Sequence, residues 1–517
     1  MPQIHETNTL IQDLWKCDSL EKANAFIRAR NGGPIHLHNF IDGKFQGSPE
    51  AKRINSHEPK TGKILYTVPD SPETTVEEAI RAAKDIFPAW SKTSRAVRSK
   101  LLMTVAELLR QNRELFAVWE SIDQGKMIER ARVEVDRAIS NFEYFATFIL
   151  HEQTAARIID GVALTYEHRS PAGVFALISP WNMPLYLLTW KIAPCLAFGC
   201  TAVAKPSEVT SMSAFLLASV FQDAEVPRGV INIVFGSGAT TGAPLVSSPM
   251  INGVSFTGGT ETGKAIRKAT AHQIGKHLSL ELGGKNPTLV FADSRTGSTA
   301  SWQRAIKVAA MAAFENQGEI CLCGSRVYVE SAIYAEFVRD FTSYVREHYV
   351  LGKTLGAVAS FEHYNKIQGY LRIAKEENAA FLLGNVADTV DGTQCKETGY
   401  WIEPTVLTGV PETSRLQSEE IFGPVVTITP FDSEEEAIRL ANNSEYGLAV
   451  VLLTTDGARM RRVGEQLEAG LVWVNSWLTR ELGTPFGGMK NSGTGREGGE
   501  YSRDVFTVIR TIHLPTI

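Results

Sequence analysis

The chain of 517 residues carries 52 Lys and Arg against 57 Asp and Glu, a net charge of −5, and 44% of its residues are hydrophobic. That apolar share excludes global disorder, which needs few apolar residues and high net charge. The slightly acidic balance excludes a nucleic-acid binder held by a basic surface, and the length predicts two to four domains at roughly 100–200 residues each.

Six cysteines (Cys17, Cys195, Cys200, Cys321, Cys323 and Cys395) are too few for a disulfide framework, and none stands in a C-x-x-C pair. Zinc-type spacing and H-E-x-x-H are absent, so no metal is expected. The opening MPQIHETNTLIQDLWKCD has no basic stretch leading into an apolar one. Apolar runs such as Leu448–Leu453 fall short of the roughly 18–20 residues that a membrane span needs. A reducing, cytoplasmic setting is the expectation, with no membrane and no nucleic-acid partner.

In chain order, residues 1–35 read as a polar, partly helical lead ending at the breaker cluster Asn31-Gly32-Gly33-Pro34. HNFIDGKFQ then carries Asp42-Gly43 between alternating apolar positions, a two-residue hairpin turn. Helices are expected over Thr75–Phe87, with Thr75 and Glu78 forming a capping box, and over Ser94–Arg113 and Arg130–Leu150. From Gly173 short apolar runs alternate with helices. The runs are Val174–Ile178, Thr201–Ala204, Ile231–Phe235, Val254–Phe256 and Leu278–Leu280; the helices are Leu185–Ala197, Ser211–Asp223 and Glu261–Ala271. A second series starts near Pro287: strands Thr288–Phe291, Arg326–Val329, Val425–Thr429, Ala449–Leu453 and Val472–Val474, with helices Ser301–Phe314 and Ala332–Glu347. Such alternation predicts βαβ units, hence two α/β domains in tandem.

Four features carry chemistry. Cys321 and Cys323 lie in NQGEICLCGSR, a loop between a helix and a strand, and loop geometry alone does not choose between the two sulfurs. Glu281 ends an apolar strand just before Leu282-Gly283-Gly284, where desolvation would raise its pKa and suit it to general-base work. A strand-end Glu that points to solvent or pairs with Lys285 is the alternative. FTGGTETG (Phe256–Gly263) runs from strand through glycines into a helix, a phosphate-accepting turn, while Lys205-Pro206-Ser207-Glu208 follows another strand and offers a carboxylate to ribose hydroxyls. Together they favour a dinucleotide. Asn182, between Pro180 and Pro184, is a restrained amide donor suited to a developing oxyanion, or simply a turn former.

In this order ISPWNMPL, AKPSE, SFTGGTETG, LELGGKNP, NQGEICLC, EEIFGPV and PFGGMKNSG resemble the NAD(P)-dependent aldehyde dehydrogenase superfamily, from about Leu37 to the C-terminus. The resemblance implies an α/β fold with a Rossmann-type NAD-binding domain (36–152 and 172–281), an α/β catalytic domain (282–490) and a small β oligomerisation arm (153–171 and 500–517). It implies Cys321 as nucleophile, Glu281 as general base and Asn182 as oxyanion donor, with Lys191 and Glu497 as a proton-relay pair. NAD would be held by Ser179, Trp181, Lys205, Ser207, Glu208, Gly238, Gly258, Gly259, Gly263, Leu282, Glu420 and Phe422, and Glu208 would repel the 2′-phosphate of NADP. The arm, a hairpin near Ala155–Glu167 and a strand near Phe506–Leu514, implies a homodimer or homotetramer.

LISPWNMPLYLLTWKIAP, NQGEICLC and WLTRELGTPFGG are most similar to the 2-aminomuconic and 2-hydroxymuconic semialdehyde dehydrogenases of tryptophan (kynurenine) and aromatic catabolism. Those substrates carry a distal carboxylate, which an arginine can bind through two hydrogen bonds. Arg480 is the first candidate and Arg132 the second. Oxidation of another aldehyde, or a non-catalytic role on the same fold, stands beside this reading. Three departures from the family pattern are noted. Gly259 replaces a usual Ser, His348–Ser360 is a shortened loop, and residues 1–35 have no counterpart, with disorder expected there over an oligomer or partner contact.

Overall fold

The structure is a computed structural model that describes residues 2–30, 33–47, 51–386 and 398–516. Cys395 lies outside them, as do Asn31 and Gly32 of the breaker cluster.

The lead is ordered, which corrects the expected disorder. Helices α1 (Pro2–Leu14) and α2 (Leu20–Ala29) bring Leu14, Cys17 and Ala23 into the largest apolar core beside Trp119 and Phe215. Ser19 caps α2 by accepting from the Lys22 N–H. After it, Asp42 and Gly43 turn the hairpin Asn39–Ile41/Lys44–Gln46 with positive φ at both positions, as the sequence indicates. The expected capping box is absent: α3 (Glu73–Trp90) starts behind Pro72, so Thr75 lies inside the helix. Proline at the start supplies a pre-set φ in place of a side-chain cap. The expected Ser94–Arg113 helix is α4 (Arg95–Gln111), capped by Ser94, and Asn112 separates it from an unanticipated α5 (Arg113–Gln124). Every residue of α5 from Leu115 to Gln124 is buried, including Glu120, Ser121 and Gln124 of its polar face. Helix α6 (Ile128–His151) follows.

The chain then alternates as expected. Strands Val174–Ile178, Thr201–Lys205, Ile231–Ile233, Gly253–Thr257 and His277–Glu281 are parallel and joined through helices that include α7 (Pro184–Ala197) and α8 (Met212–Asp223). The hairpin extends one edge of this eight-stranded sheet, and Gly493–Thr494 closes the other by pairing antiparallel with Leu280 and Glu281. The seven-stranded second sheet holds Pro287–Val290, Arg326–Glu330, Val425–Phe431, Ala449–Leu453 and Leu471–Val474 in parallel. Its antiparallel edge, Ala380–Leu383, lies outside the sequence expectation. A three-stranded sheet joins Ala156–Ile159, Ala163–Pro171 and Thr507–Pro515. Among the described residues no helix is long and apolar enough to cross a membrane, and no group of three His, Cys, Asp or Glu could hold a metal ion.

Candidate active site

In the eight-stranded sheet, Val174–Ile178 has Thr201–Lys205 on one side and Gly253–Thr257 on the other, so strand order reverses beside it. Ligands of open α/β sheets bind where such a reversal leaves a crevice at the strand carboxyl ends. A cleft of 430 Å³ opens there, lined by Ser179, Trp181, Lys205, Ser207, Glu208, Gly238, Gly258 and Gly259. Lys205 is buried, its Nζ 3.1 Å from the Pro206 carbonyl and 3.4 Å from Glu208 Oε2. Burial lowers the Lys205 pKa and the Glu208 carboxylate opposes that. Gly258 donates its N–H to the Glu281 carbonyl at 3.0 Å, tying the glycine turn to the neighbouring strand. Gly259 is the N-cap of the Thr260–Thr270 helix, and a Cβ there would meet nothing within 4 Å, so the usual Ser would also fit. Gly263 is off the cleft wall: its missing side chain makes room for Leu282, which walls the adjoining pocket.

That adjoining pocket, of 240 Å³, shares Trp181, Gly258 and Gly259 with the cleft and adds Asn182, Leu282, Cys321, Glu420 and Phe422. The structure separates the two thiols: Cys321 lines the pocket partly exposed, while Cys323 is buried behind it, its N–H bonded to Ile320 at 2.9 Å. Burial, then the charges of Glu420 and Glu281, push the Cys321 pKa far up; burial pushes Cys323 up to about 12. Glu281 is buried, and neither carboxylate oxygen has a hydrogen-bond partner among the described residues. Desolvation first and Glu497 second raise its pKa well above the carboxylate range. It does not pair with Lys285, whose own buried Nζ lacks a partner and whose pKa falls to about 7 by desolvation. Gly487 leaves the room Glu281 uses, since a Cβ there would lie 2.8 Å from Oε1.

Lys191 and Glu497 form a buried ion pair at 3.1 Å, shared with Ser255 Oγ at 3.1 Å from each and with Trp190 Nε1 on the second Glu497 oxygen. Asn182 donates from Nδ2 to the Glu319 carbonyl at 2.7 Å, leaving its second amide N–H for another acceptor. Glu420 Oε1 accepts the Gly284 N–H at 2.7 Å, and Phe422 stands edge-on to Trp181. His363 and Lys366 also line the pocket, and His363 Nε2 meets the Phe422 carbonyl at 2.6 Å. Neither was found from sequence, because their helix, Phe361–Glu376, escaped it; the Ser360 cap and the three-residue spacing of the pair were the available signals.

Arg480 lies with its guanidinium carbon 4.2 Å from the Trp190 ring centre and 4.1 Å from that of Phe486. Its Nη1 donates to Tyr186 Oη at 2.9 Å, while Nε and Nη2 lack partners among the described residues. Arg137, unanticipated, donates to the same hydroxyl at 3.1 Å and lies over the Tyr186 ring. Arg132 is not at this site: it pairs with Glu114 at 3.0 Å, both side chains 40% or more exposed. The expectation named the right helix and the wrong face, since α6 buries positions 131, 134, 138 and 141 and turns 132 outward.

Residues 45–512 match the model of the aldehyde dehydrogenase family. The 2-aminomuconic semialdehyde dehydrogenase of Bos taurus is 45% identical over 94% of this chain and 99% of its own length. The chain belongs to the aldehyde dehydrogenase family. At 38% identity, over 92% of the chain and 99% of the relative, it also resembles the 2-hydroxymuconic semialdehyde dehydrogenase of Pseudomonas sp. strain CF600. Among solved structures, the aldehyde dehydrogenase of Bacillus cereus in complex with NAD+ superposes with a TM-score of 0.89 at 34% identity, covering 96% of this chain and 99% of that one. HpcC from Thermus thermophilus gives 0.89 at 37% identity, covering 96% and 95%. The expected family fold, an α/β aldehyde dehydrogenase architecture with a Rossmann-like sheet, holds.

Proposed function

We propose that this aldehyde dehydrogenase oxidises a carboxylate-bearing semialdehyde to the acid with NAD, as the names of its muconic semialdehyde relatives suggest. The observation that carries the substrate class is the pair Arg480 and Arg137 on one phenol oxygen, with no carboxylate within 4 Å of either among the described residues. Two guanidiniums on one hydroxyl, with Arg480 Nε and Nη2 buried and without partners among the described residues, call for an anion, and a distal carboxylate supplies it with bidentate geometry.

The cleft suits a dinucleotide: Ser179 Oγ is buried without a partner among the described residues, and glycines flank a helix start. Lys205 and Glu208 would hold the adenosine ribose, with Glu208 excluding a 2′-phosphate, and Glu420 the ribose near Phe422. When bound, the oxidised cofactor supplies a hydride acceptor and a positive ring charge. In the chain itself, the Cys321 sulfur attacks the aldehyde carbon and its proton passes to the buried carboxylate Glu281. Asn182 donates to the oxyanion. After oxidation to the Cys321 thioester, Glu281 draws a proton from water, which releases the acid; Lys191 and Glu497 carry protons away from Glu281.

The same reading assigns 36–152 and 172–281 to NAD, 282–490 to catalysis and 153–171 with 500–517 to the arm, with 1–35 as an appended helical lead. Exposed Ile158, Leu164 and Leu514 on the arm support a homodimer or homotetramer. A cytoplasmic setting, in tryptophan (kynurenine) or aromatic catabolism, keeps the nucleophile reduced.

The test is an NAD-reduction screen over aldehydes with and without a distal carboxylate. Arg480→Ala should raise KM for the carboxylated substrates about 10-fold or more, the loss of one charge-assisted contact, and leave uncharged aldehydes within twofold. Equal effects on both would retire the substrate class.

A further inference from the structure

The buried segment Glu120–Lys126, which the mechanism above does not use, is hydrogen-bonded to Asn182, to the starts of α7 and α8 and to the loop of Cys321. Glu120 Oε1 accepts the Leu185 N–H at 3.0 Å, at the start of α7. Asp123 Oδ2 accepts the Met212 N–H at 3.0 Å, at the start of α8. Gln124 Nε2 donates to Glu319 Oε2 at 2.6 Å, in the loop of Cys321. Lys126 Nζ donates to the Asn182 carbonyl at 3.0 Å, is hydrogen-bonded to Glu134 and lies 3.7 Å from Glu120 Oε2. The side chains of Lys126, Glu120 and Glu134 are all 0% exposed. Gly125 lets the chain turn from α5 to Lys126 with φ 91°, and a Cβ there would lie 2.6 Å from the Ala357 carbonyl.

Asn182 is therefore held at both ends by this segment. Lys126 fixes its backbone carbonyl, with Asn316 Nδ2 at 3.2 Å as a second donor; Gln124 steadies the residue whose carbonyl receives the Asn182 side chain. Burying an ammonium with two carboxylates is costly, and an apolar cluster of the same volume would do as well for stability alone. What the charges add is a fixed location for a donor, and oxyanion stabilisation depends on donors placed before the charge develops.

We infer that Lys126, held by Glu134 and Glu120, is a positioning residue that sets the Asn182 amide for the oxyanion. The inference rests on the role proposed for Asn182. It is tested on the full-length enzyme by the pre-steady-state NADH burst, with saturating NAD and succinic semialdehyde as a carboxylated probe. Lys126→Met should slow the burst about 10-fold or more, a fraction of the roughly 10²- to 10³-fold expected for Asn182→Ala. KM for NAD and the rate of Cys321 alkylation by iodoacetamide should stay within twofold, because neither passes through an oxyanion. In the Asn182→Ala background, Lys126→Met should cost less than twofold more, since the two act as one unit. An unchanged burst in Lys126→Met, or an undiminished loss in that background, overturns the inference. A normal burst in Asn182→Ala instead overturns the role of Asn182. Should Lys126→Met fail to fold, the charge-balanced Lys126→Met/Glu134→Gln carries the same comparison; if that also fails to fold, Lys126 serves the fold and the inference is wrong.

Discussion

At Cys321 the thiol faces two carboxylates, Glu420 and Glu281, and both add to what burial already does to hold its proton on. Glu281 is likewise held toward its neutral form. The reactive forms are thiolate and carboxylate, so kcat/KM should climb as pH rises through neutrality into the alkaline range; stopped-flow profiles flat from pH 6 to 9 would contradict this. Glu281→Gln should slow the NADH burst, because the Cys321 proton loses its acceptor, and should lower steady-state turnover about 10²- to 10⁴-fold, the range for losing a general base. Glu319 has a pKa pushed up to about 8 by burial. A raised carboxyl pKa favours the folded state while the group is neutral. That contribution is complete below the ordinary carboxylate range, near ~4, and is lost as pH rises through about 8. Thermal scans should show Glu319→Gln gaining on the parent between pH 5 and pH 9 by roughly 1–3 °C, and Gln124 Oε1, buried without a partner among the described residues, can accept the introduced amide. Sequence reading reached Arg480, which sits next to recognisable motif residues, and missed Arg137. On a helix buried along most of one side, the choice between 132 and 137 depends on which face meets Tyr186, a contact made 49 residues away.

The helices α1 and α2 show how a short element gains its order from packing. Their sequence is polar enough to suggest disorder, yet Leu10, Ile11, Leu14 and Trp15 fall on one helical face, and Trp15 Nε1 reaches Ser219 Oγ at 3.2 Å. Phe26 meets Trp119 edge-on. Deleting residues 2–30 should expose that core and lower Tm by several degrees in calorimetry, while kcat per folded molecule, set at the distant cleft, stays within twofold; an unchanged Tm would show that the packing contributes nothing. Central strands were the most legible elements, since fully buried parallel strands read as unbroken apolar runs. The hidden ones were α5, buried on every side, and the edge Ala380–Leu383, which runs antiparallel to Thr405–Thr408 where the rest of the sheet is parallel.

Across the whole molecule, the arm leaves a row of apolar side chains uncovered. Ile158, Leu164 and Leu514 stand opposite one another on three successive strands and are 75%, 39% and 47% exposed. Covering that row is the role proposed for a second copy, so Ile158→Asp with Leu514→Asp should shift light-scattering mass toward the monomer; an unchanged mass would place the interface elsewhere. The fold class and the two parallel sheets were legible because most βαβ units are local, whereas the margin at Gly493–Thr494 and the arm join residues more than 200 positions apart. These two pairings bear on biosynthesis. The strand that ends in Glu281 gains its outer neighbour only from Gly493 and Thr494, and Ala163–Pro171 waits for Thr507–Pro515. A nascent polypeptide therefore has to be extended as far as Gly493 before its catalytic strand is flanked, and as far as Pro515 before its arm is complete, so a chain released short of those residues lacks both.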